Sequence, residues 1–294
     1  MKASRGEKVF YAVNYCFLAL IAMGCLYPFI YIIAMSFSSN RAVISGEVFL
    51  IPIEPNLEAY KQLLLDGQIF NAMRNTIQLT LIGVSFNMIC TIFCAYPLSK
   101  RRLRGRGFFM GMIVFTMMFS GGMIPSFILI RTLGLMNSYW ALWLNGLMST
   151  YNMIVMRTFF QGIPDSLEES AQIDGANDPL ILFRIILPLS GACLATITLF
   201  YSVGWWNTYF SAILYIQTSR LHPLMVRLRA MLDSAQSLNI IQERGGAGWE
   251  EMIIVASETF KSASIIVTLV PIMLVYPFLQ KYFVKGVMIG SLKG

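Results

Sequence analysis

The sequence predicts an all-α membrane protein with six transmembrane helices, and three features carry that expectation. The 294-residue chain is 56% hydrophobic and 13% charged, where soluble domains carry roughly 25% charged residues. Its 22 Lys and Arg residues fall in short clusters, leaving six stretches with no charge at all: 9–40, 75–99, 107–130, 132–156, 185–219 and 262–280. A bilayer core takes about 20 consecutive apolar residues per helix, whereas a barrel strand takes only about 9–11. At the observed length only a helix pairs all its own backbone N–H and C=O groups in lipid.

In chain order, the first span covers about 9–37 and holds Pro28, a kink that neighbouring helices can re-satisfy. Residues 38–72 lie outside the membrane, and Ile51-Pro52-Ile53-Glu54-Pro55 reads as an extended turn, because proline pushes the residue before it out of the helical region. Spans two, three and four follow at about 75–99, 107–131 and 138–160, with a tight hairpin after span three. Span five, about 186–216, is the longest, and span six, about 262–284, precedes a short tail. Between them, Gly245-Gly246-Ala247-Gly248 reads as a flexible break in the 217–261 loop. No repeat or low-complexity tract divides the chain. Residues 1–294 read as a single membrane domain, with a core at about 72–284, a loop at 162–184 and a tail at 285–294.

The remaining charge sets the orientation. One side carries Lys2, Arg5 and Lys8, then Lys100, Arg101, Arg102, Arg104 and Arg106, then Lys281, Lys285 and Lys293. The other side offers Arg41, Lys61 and Arg74, then Arg131, then a long loop, and long loops weigh less. The positive-inside rule therefore predicts a multi-pass cell-membrane protein with both termini cytoplasmic. A net charge of +7 distributed in this way serves topology and contact with anionic headgroups, and leaves no room for a folded nucleic-acid-binding domain. The 9–40 run is too long for the apolar core of a cleavable signal. Cys16, Cys25, Cys90, Cys94 and Cys193 lie in spanning runs without zinc or disulfide spacing. His222 precedes Pro223 with no ligand partners nearby, so no metal site and no catalytic residue are expected.

The loop at 162–184 needs a different explanation, because it holds Asp165, Glu168, Glu169, Asp174 and Asp178, five of the 15 acidic residues. Ser166 and Glu169 have the spacing of a capping box, which predicts a helix start. Gly175 can take positive φ and end that helix, and Asp178-Pro179 then opens another. Leu167, Ala171 and Asp174 fall on one face at i, i+4 and i+7, with Ile173 off it. A helix of about two turns is marginal alone in water. It therefore docks, either on its own bundle or on a cytoplasmic partner.

This loop resembles the signature of the permease subunits of bacterial ATP-binding-cassette importers: E-A-A, three residues, glycine, nine residues, I-x-L-P. Glu169-Ser170-Ala171, Gly175 and Ile185-Ile186-Leu187-Pro188 match both spacings, with Ser170 in place of the central alanine. Asp174-Gly175-Ala176, Trp206-Asn207 and the ending from Gly286 to Gly294 are similar to the carbohydrate-uptake branch, its LplC-type members above all. The resemblance covers nearly the whole chain. It implies the type I importer fold, with a cytoplasmic coupling helix working through Glu168, Glu169, Ala171, Asp174 and Gly175. It also implies several partners: a second, different permease, two ATP-binding subunits, an extracytoplasmic substrate-binding lipoprotein and a carbohydrate cargo. ATP and magnesium would be bound by the ATPase, because this chain has no Gly-Lys dipeptide and hence no phosphate loop. The tail would reach toward the ATPase pair.

By the same resemblance, sugar contacts come from Asn145, Met148 and Tyr151 in one span and from Tyr201, Trp205, Trp206 and Asn207 in another. Aromatic faces stack on pyranose rings, and amides satisfy hydroxyl groups. Interfacial belts and interhelical hydrogen bonds are ordinary alternative uses of such residues. Trp205 and Trp206 point about 100° apart on a helix. Removing the pathway-facing ring is expected to cost transport while leaving folding nearly unchanged. The competing reading is an ATP-independent secondary transporter or channel. It predicts charged relays inside the spans, and the six runs contain none.

Overall fold

The computed structural model describes residues 5–65, 67–243 and 258–291, with side chains over 6–65, 67–233 and 258–274. The glycine-rich break expected at 245–248 and the last three residues of the tail lie outside the described residues. Among the described residues every regular element is helical and none is a strand. The chain forms two compact units, Met1–Ile69 with Leu228–Pro271, and Phe70–Arg227 with Ile272–Gly294.

In the first unit, α1 (Arg5–Phe37) carries Pro28 inside it, and none of its most apolar window is buried. An apolar surface exposed all round suits a helix surrounded by acyl chains. The segment after it folds back on the α1 end through α2 (Asn40–Ile44) and α3 (Glu58–Leu65). Ser39 caps α2 by accepting from the Ala42 N–H, and its hydroxyl donates to the Glu54 carboxylate at 2.6 Å. The Ser38 hydroxyl donates to the Ala34 carbonyl at 2.7 Å and accepts from the Ile53 N–H at 3.1 Å. Tyr60 donates to the Ser36 hydroxyl at 2.8 Å. The 51–55 stretch stays non-helical between them, as its two prolines dictate.

The second unit begins on α4 (Gln68–Ser99), followed by α5 (Arg106–Met118), α6 (Met123–Thr132), α7 (Trp140–Asn145) and α8 (Thr150–Gln161). Next come α9 (Asp165–Ile173), α10 (Asp178–Ile181), a π-helical turn over Leu182–Ile186, α11 (Leu187–Leu189), α12 (Gly191–Trp206) and α13 (Phe210–Tyr215). Of the last two helices, α14 (Leu224–Glu243) belongs to the first unit from Leu228 on, and α15 (Glu258–Ser291) belongs to the first unit up to Pro271 and to the second from Ile272; α15 runs past residue 284, where span six was expected to end. The core of this unit is closely packed, with Leu79, Ala141, Met153, Met156, Ile181, Ile186, Ile197 and Ala212 fully excluded from solvent.

Two described helices, α1 and α4, are long and apolar enough to cross a bilayer, or up to four if each of two bent pairs makes one crossing. The residues expected in spans three and five fall in those bent pairs: 109° between α5 and α6, and 83° between the α10–α11 run and α12. Gly122, at φ 85°, explains the first bend, since that backbone is open to glycine and strained for other residues. The second falls at Ser190, just after Pro188 has removed one backbone donor. The fourth apolar run is broken at Gly146, between α7 and α8, and Ser149 restarts the helix by capping the Asn152 N–H.

Candidate functional site

The acidic loop folds as α9, a left-handed glycine and α10. α9 starts at Asp165, directly after Pro164, and no side chain caps it. The Ser166–Glu169 capping box does not form. Ser166 already lies inside the first turn, where its carbonyl accepts from the Ser170 hydroxyl at 2.8 Å. Gly175 takes φ 82°. Its N–H bonds the Gln172 carbonyl at 3.0 Å, and the Ala176 N–H bonds the Ala171 carbonyl at 2.9 Å. These are the two bonds of a Schellman ending. Asn177, one residue ahead of the expected start, caps α10 by accepting from the Leu180 N–H at 3.0 Å.

Glu168 turns inward to pair with Lys100, the residue following α4, and the two side chains are only 10% and 13% exposed. The Lys100 ammonium also sits 4.7 Å from the centre of the Tyr96 ring. A second pair, Arg102 with Asp178, is half-exposed. Together these pairs tie α9 and α10 to the end of α4. Because Glu168 faces the core, so does Ala171, three residues on. Leu167 and Ile173 are left outside, Ile173 at 86% exposure. The outer face is therefore Leu167, Ser170, Ile173 and Asp174, not the Leu167, Ala171 and Asp174 face expected from spacing. Glu169 and Gly175 are also exposed. A cavity of about 420 Å³ beside α9 is lined by Arg101, Arg106, Gln161 and Glu169 among others.

A second cavity, about 580 Å³, lies where α4, the α7–α8 break and α12 come together. Asn87 of α4 holds this junction: its side-chain carbonyl accepts from the Trp205 indole and its amide donates to the Gly146 carbonyl, both at 2.5 Å. The Tyr201 hydroxyl lies 2.7 Å from that of Thr91 and accepts from the Ser149 N–H at 3.1 Å. Two glycines make room for the indole. A Cβ on Gly83 would sit 2.5 Å from the Trp205 ring, and one on Gly146 3.2 Å from it.

Of the residues expected along a pathway, Tyr151, Tyr201 and Trp205 line this cavity. Tyr151 is 57% exposed, whereas Trp205 is 9% exposed and wedged between helices. Losing that ring would disturb folding as well as any cargo contact. Met148 packs on the core, and Asn145 is exposed at the end of α7. Trp206 is buried and its indole N–H has no partner among the described residues, and the Asn207 amide donates to the Val203 carbonyl at 2.9 Å. Asn87, Ser149, Asn152 and Thr208 also line the cavity and were missed from sequence. The available signal was Asn87 at the middle of the charge-free 75–99 run. Among the described residues no group of three or more His, Cys, Asp or Glu comes together as metal ligands would.

Residues 87–289 match the family described as binding-protein-dependent transport system inner membrane component. The chain is 43% identical over 288 residues to the polygalacturonan/rhamnogalacturonan transport system permease protein YtcP of Bacillus subtilis (strain 168), covering 98% of this chain and 99% of that one. It is 38% identical to protein LplC of the same organism, covering 100% of this chain and 98% of the relative. A crystal structure of a bacterial ABC transporter involved in the import of the acidic polysaccharide alginate superposes with a TM-score of 0.84 at 37% identity, covering 96% of this chain and 99% of that chain. Fold and likeness together define a non-catalytic permease subunit with the type I importer fold. The chain belongs to the binding-protein-dependent transport system inner membrane components. That membership does not favour an ATP-independent transporter.

Proposed function

We propose that this chain forms half of the translocation pathway of an oligosaccharide importer, pairing with a second, different permease. Two ATP-binding subunits drive it, and an extracytoplasmic lipoprotein delivers the carbohydrate. The observation that carries this reading is the 43% identity to a polygalacturonan/rhamnogalacturonan permease over 98% of the chain. The six crossings of one membrane domain are then α1, α4, α5 with α6, α7 with α8, the α10–α12 run, and α15, with both termini cytoplasmic. Reporter fusions at the two ends test the orientation, and two external readings would reverse it. Co-purification with an ATPase and ATP-dependent uptake of labelled oligosaccharide into proteoliposomes test the whole. Uptake without ATP would return the secondary-transporter reading.

In this reading α9 is the coupling helix. Glu169, Asp174 and the Gly175 turn meet the ATPase beside the exposed Leu167 and Ile173, while Glu168 and Ala171 hold the helix in place from within. Gly175→Val is expected to impose about 1–2 kcal/mol of strain or more, since a β-branched side chain resists the left-handed backbone. Its measurable effect is uptake lost while ATP hydrolysis by the complex no longer responds to substrate. A variant with wild-type coupling would remove the turn from the mechanism.

The cavity at Tyr151 supplies an exposed aromatic face, amides and hydroxyls, and among the described residues no charged side chain lines it. It suits a sugar held by stacking and neutral hydrogen bonds. Tyr151→Ala is expected to lower uptake about tenfold, equivalent to roughly 1.4 kcal/mol, within the range of one aromatic contact. The thermal midpoint should stay unchanged because the ring is exposed. Wild-type uptake from this variant would place cargo contacts in the partner permease.

A further inference from the structure

A third cavity, about 380 Å³, opens at the end of α4, against the start of the segment that leads from α10 into the π turn. Phe93, Pro97 and Leu182 line its apolar part, and Lys100, Arg102 and Arg104 its basic part, with Asp178 among the cations. Phe93 and Phe183, each 55% exposed, meet edge-on beside it at 6.3 Å. Exposed apolar rings followed by a cluster of cations, at the end of a helix long enough to span, suit the boundary where acyl chains give way to headgroups.

The charges of this cavity are unequally committed. Lys100 is paired with Glu168, and Arg102 with Asp178. Arg104 is exposed and, among the described residues, has no ion-pair partner. The cluster and its acids therefore keep one net positive charge, and the Arg102 guanidinium retains N–H donors beyond its bond to Asp178.

We propose that this cavity binds an anionic glycerophospholipid of the phosphatidylglycerol type, its phosphodiester on Arg104 and Arg102 and an acyl chain along Phe93 and Phe183. A phosphodiester carries a single negative charge, which matches the one uncompensated cation, and arginine donates two parallel N–H groups to such an oxyanion. A zwitterionic lipid brings an ammonium that this cationic end repels. Free phosphate carries more charge than the site balances and has nothing to place on the two phenylalanines. Basic pockets between membrane helices select anionic headgroups in this way. The bound lipid would bridge the end of α4 and the exit from the acidic loop. The inference needs only that α4 crosses the bilayer, and stands apart from the cargo reading.

The test places the whole purified chain in phosphatidylcholine nanodiscs containing a trace of spin-labelled phosphatidylglycerol or spin-labelled phosphatidylcholine. The expected result is a motionally restricted fraction in excess for phosphatidylglycerol. Arg104→Ala should weaken that preference about fivefold, the size of one basic side chain's contribution at an anionic surface, and Arg104→Lys should keep most of it. Arg101→Ala removes a cation of the same loop that lines the other cavity, and should leave the preference intact. Equal restriction of the two labels would overturn the site. So would an Arg101→Ala effect as large as that of Arg104→Ala, which would mean diffuse surface charge. Displacement of the label by millimolar inorganic phosphate at constant ionic strength would also overturn it, in favour of a free anion.

Discussion

Glu168→Gln is expected to abolish ATP-driven uptake and to lower the thermal midpoint of the chain. The carboxylate it removes is 10% exposed and faces a Lys100 side chain that is 13% exposed. Taking one partner from a buried pair leaves the other charge uncompensated, at a cost of about 3–5 kcal/mol. The neutral amide recovers only part of this. α9 would lose the contact that fixes its rotation, and Leu167 and Ile173 would no longer present the same outer face. Arg102→Ala is the internal comparison, because its pair with Asp178 is 54% exposed on both sides. Pairs that exposed contribute at most about 1 kcal/mol. The double variant Lys100→Met with Glu168→Met should regain much of the midpoint, since replacing both partners by apolar groups is often neutral. It should not regain uptake if the rotation of α9 depends on the ion pair. A Glu168→Gln protein with wild-type uptake and midpoint would show that the pair positions nothing.

Gly83→Ala should be nearly as damaging, although it adds one methyl group. That carbon would lie 2.5–2.8 Å from three atoms of the Trp205 indole, and real side chains essentially never approach so closely. The ring must move, its N–H must leave Asn87, and the amide that also holds the Gly146 carbonyl is left partly unsatisfied. Overpacking costs about 1–3 kcal/mol and an orphaned buried polar group about 1–3 kcal/mol more. Uptake and midpoint are expected to fall together. The cycle with Trp205→Ala decides the cause. That change alone costs about 3–5 kcal/mol, and once the indole is gone Gly83→Ala should cost almost nothing, a strong departure from additivity. Equal costs with and without the ring would mean that something else opposes the methyl.

Much of the helical plan was legible in the six charge-free runs, because lipid leaves the backbone few choices and apolar length reports them. What composition does not carry is direction. The bends at Gly122 and Ser190 leave hydropathy unchanged, and a run interrupted at Gly146 reads the same as an intact one. The acidic loop was legible as a helix ending at Gly175, since positive φ has few tenants. Its rotation was not legible, because that rests on Lys100, 68 residues away from Glu168. The two adjacent tryptophans illustrate the same limit. Spacing separates their faces by a fixed angle, but only packing against Gly83 and Gly146 makes Trp205 a wedge. Asn87 was overlooked for a related reason: an amide in an apolar helix has several ordinary uses, and its partners lie in distant parts of the chain.

The two ion pairs that anchor the acidic loop also impose an order in time. Glu168 lies 68 residues after Lys100, and Asp178 lies 76 residues after Arg102. At a synthesis rate of about 5–20 residues per second, the first acid emerges about 3–14 s after its lysine. In the proposed six-span topology α4 and α5 enter the bilayer during that interval, while the 100–106 loop carries its five positive charges without either acid. In the proposed orientation the same lysine and arginine would act first as an uncompensated block that resists translocation, when the ribosome has not yet made their partners. They would become structural counter-ions only once Glu168 and Asp178 have been made.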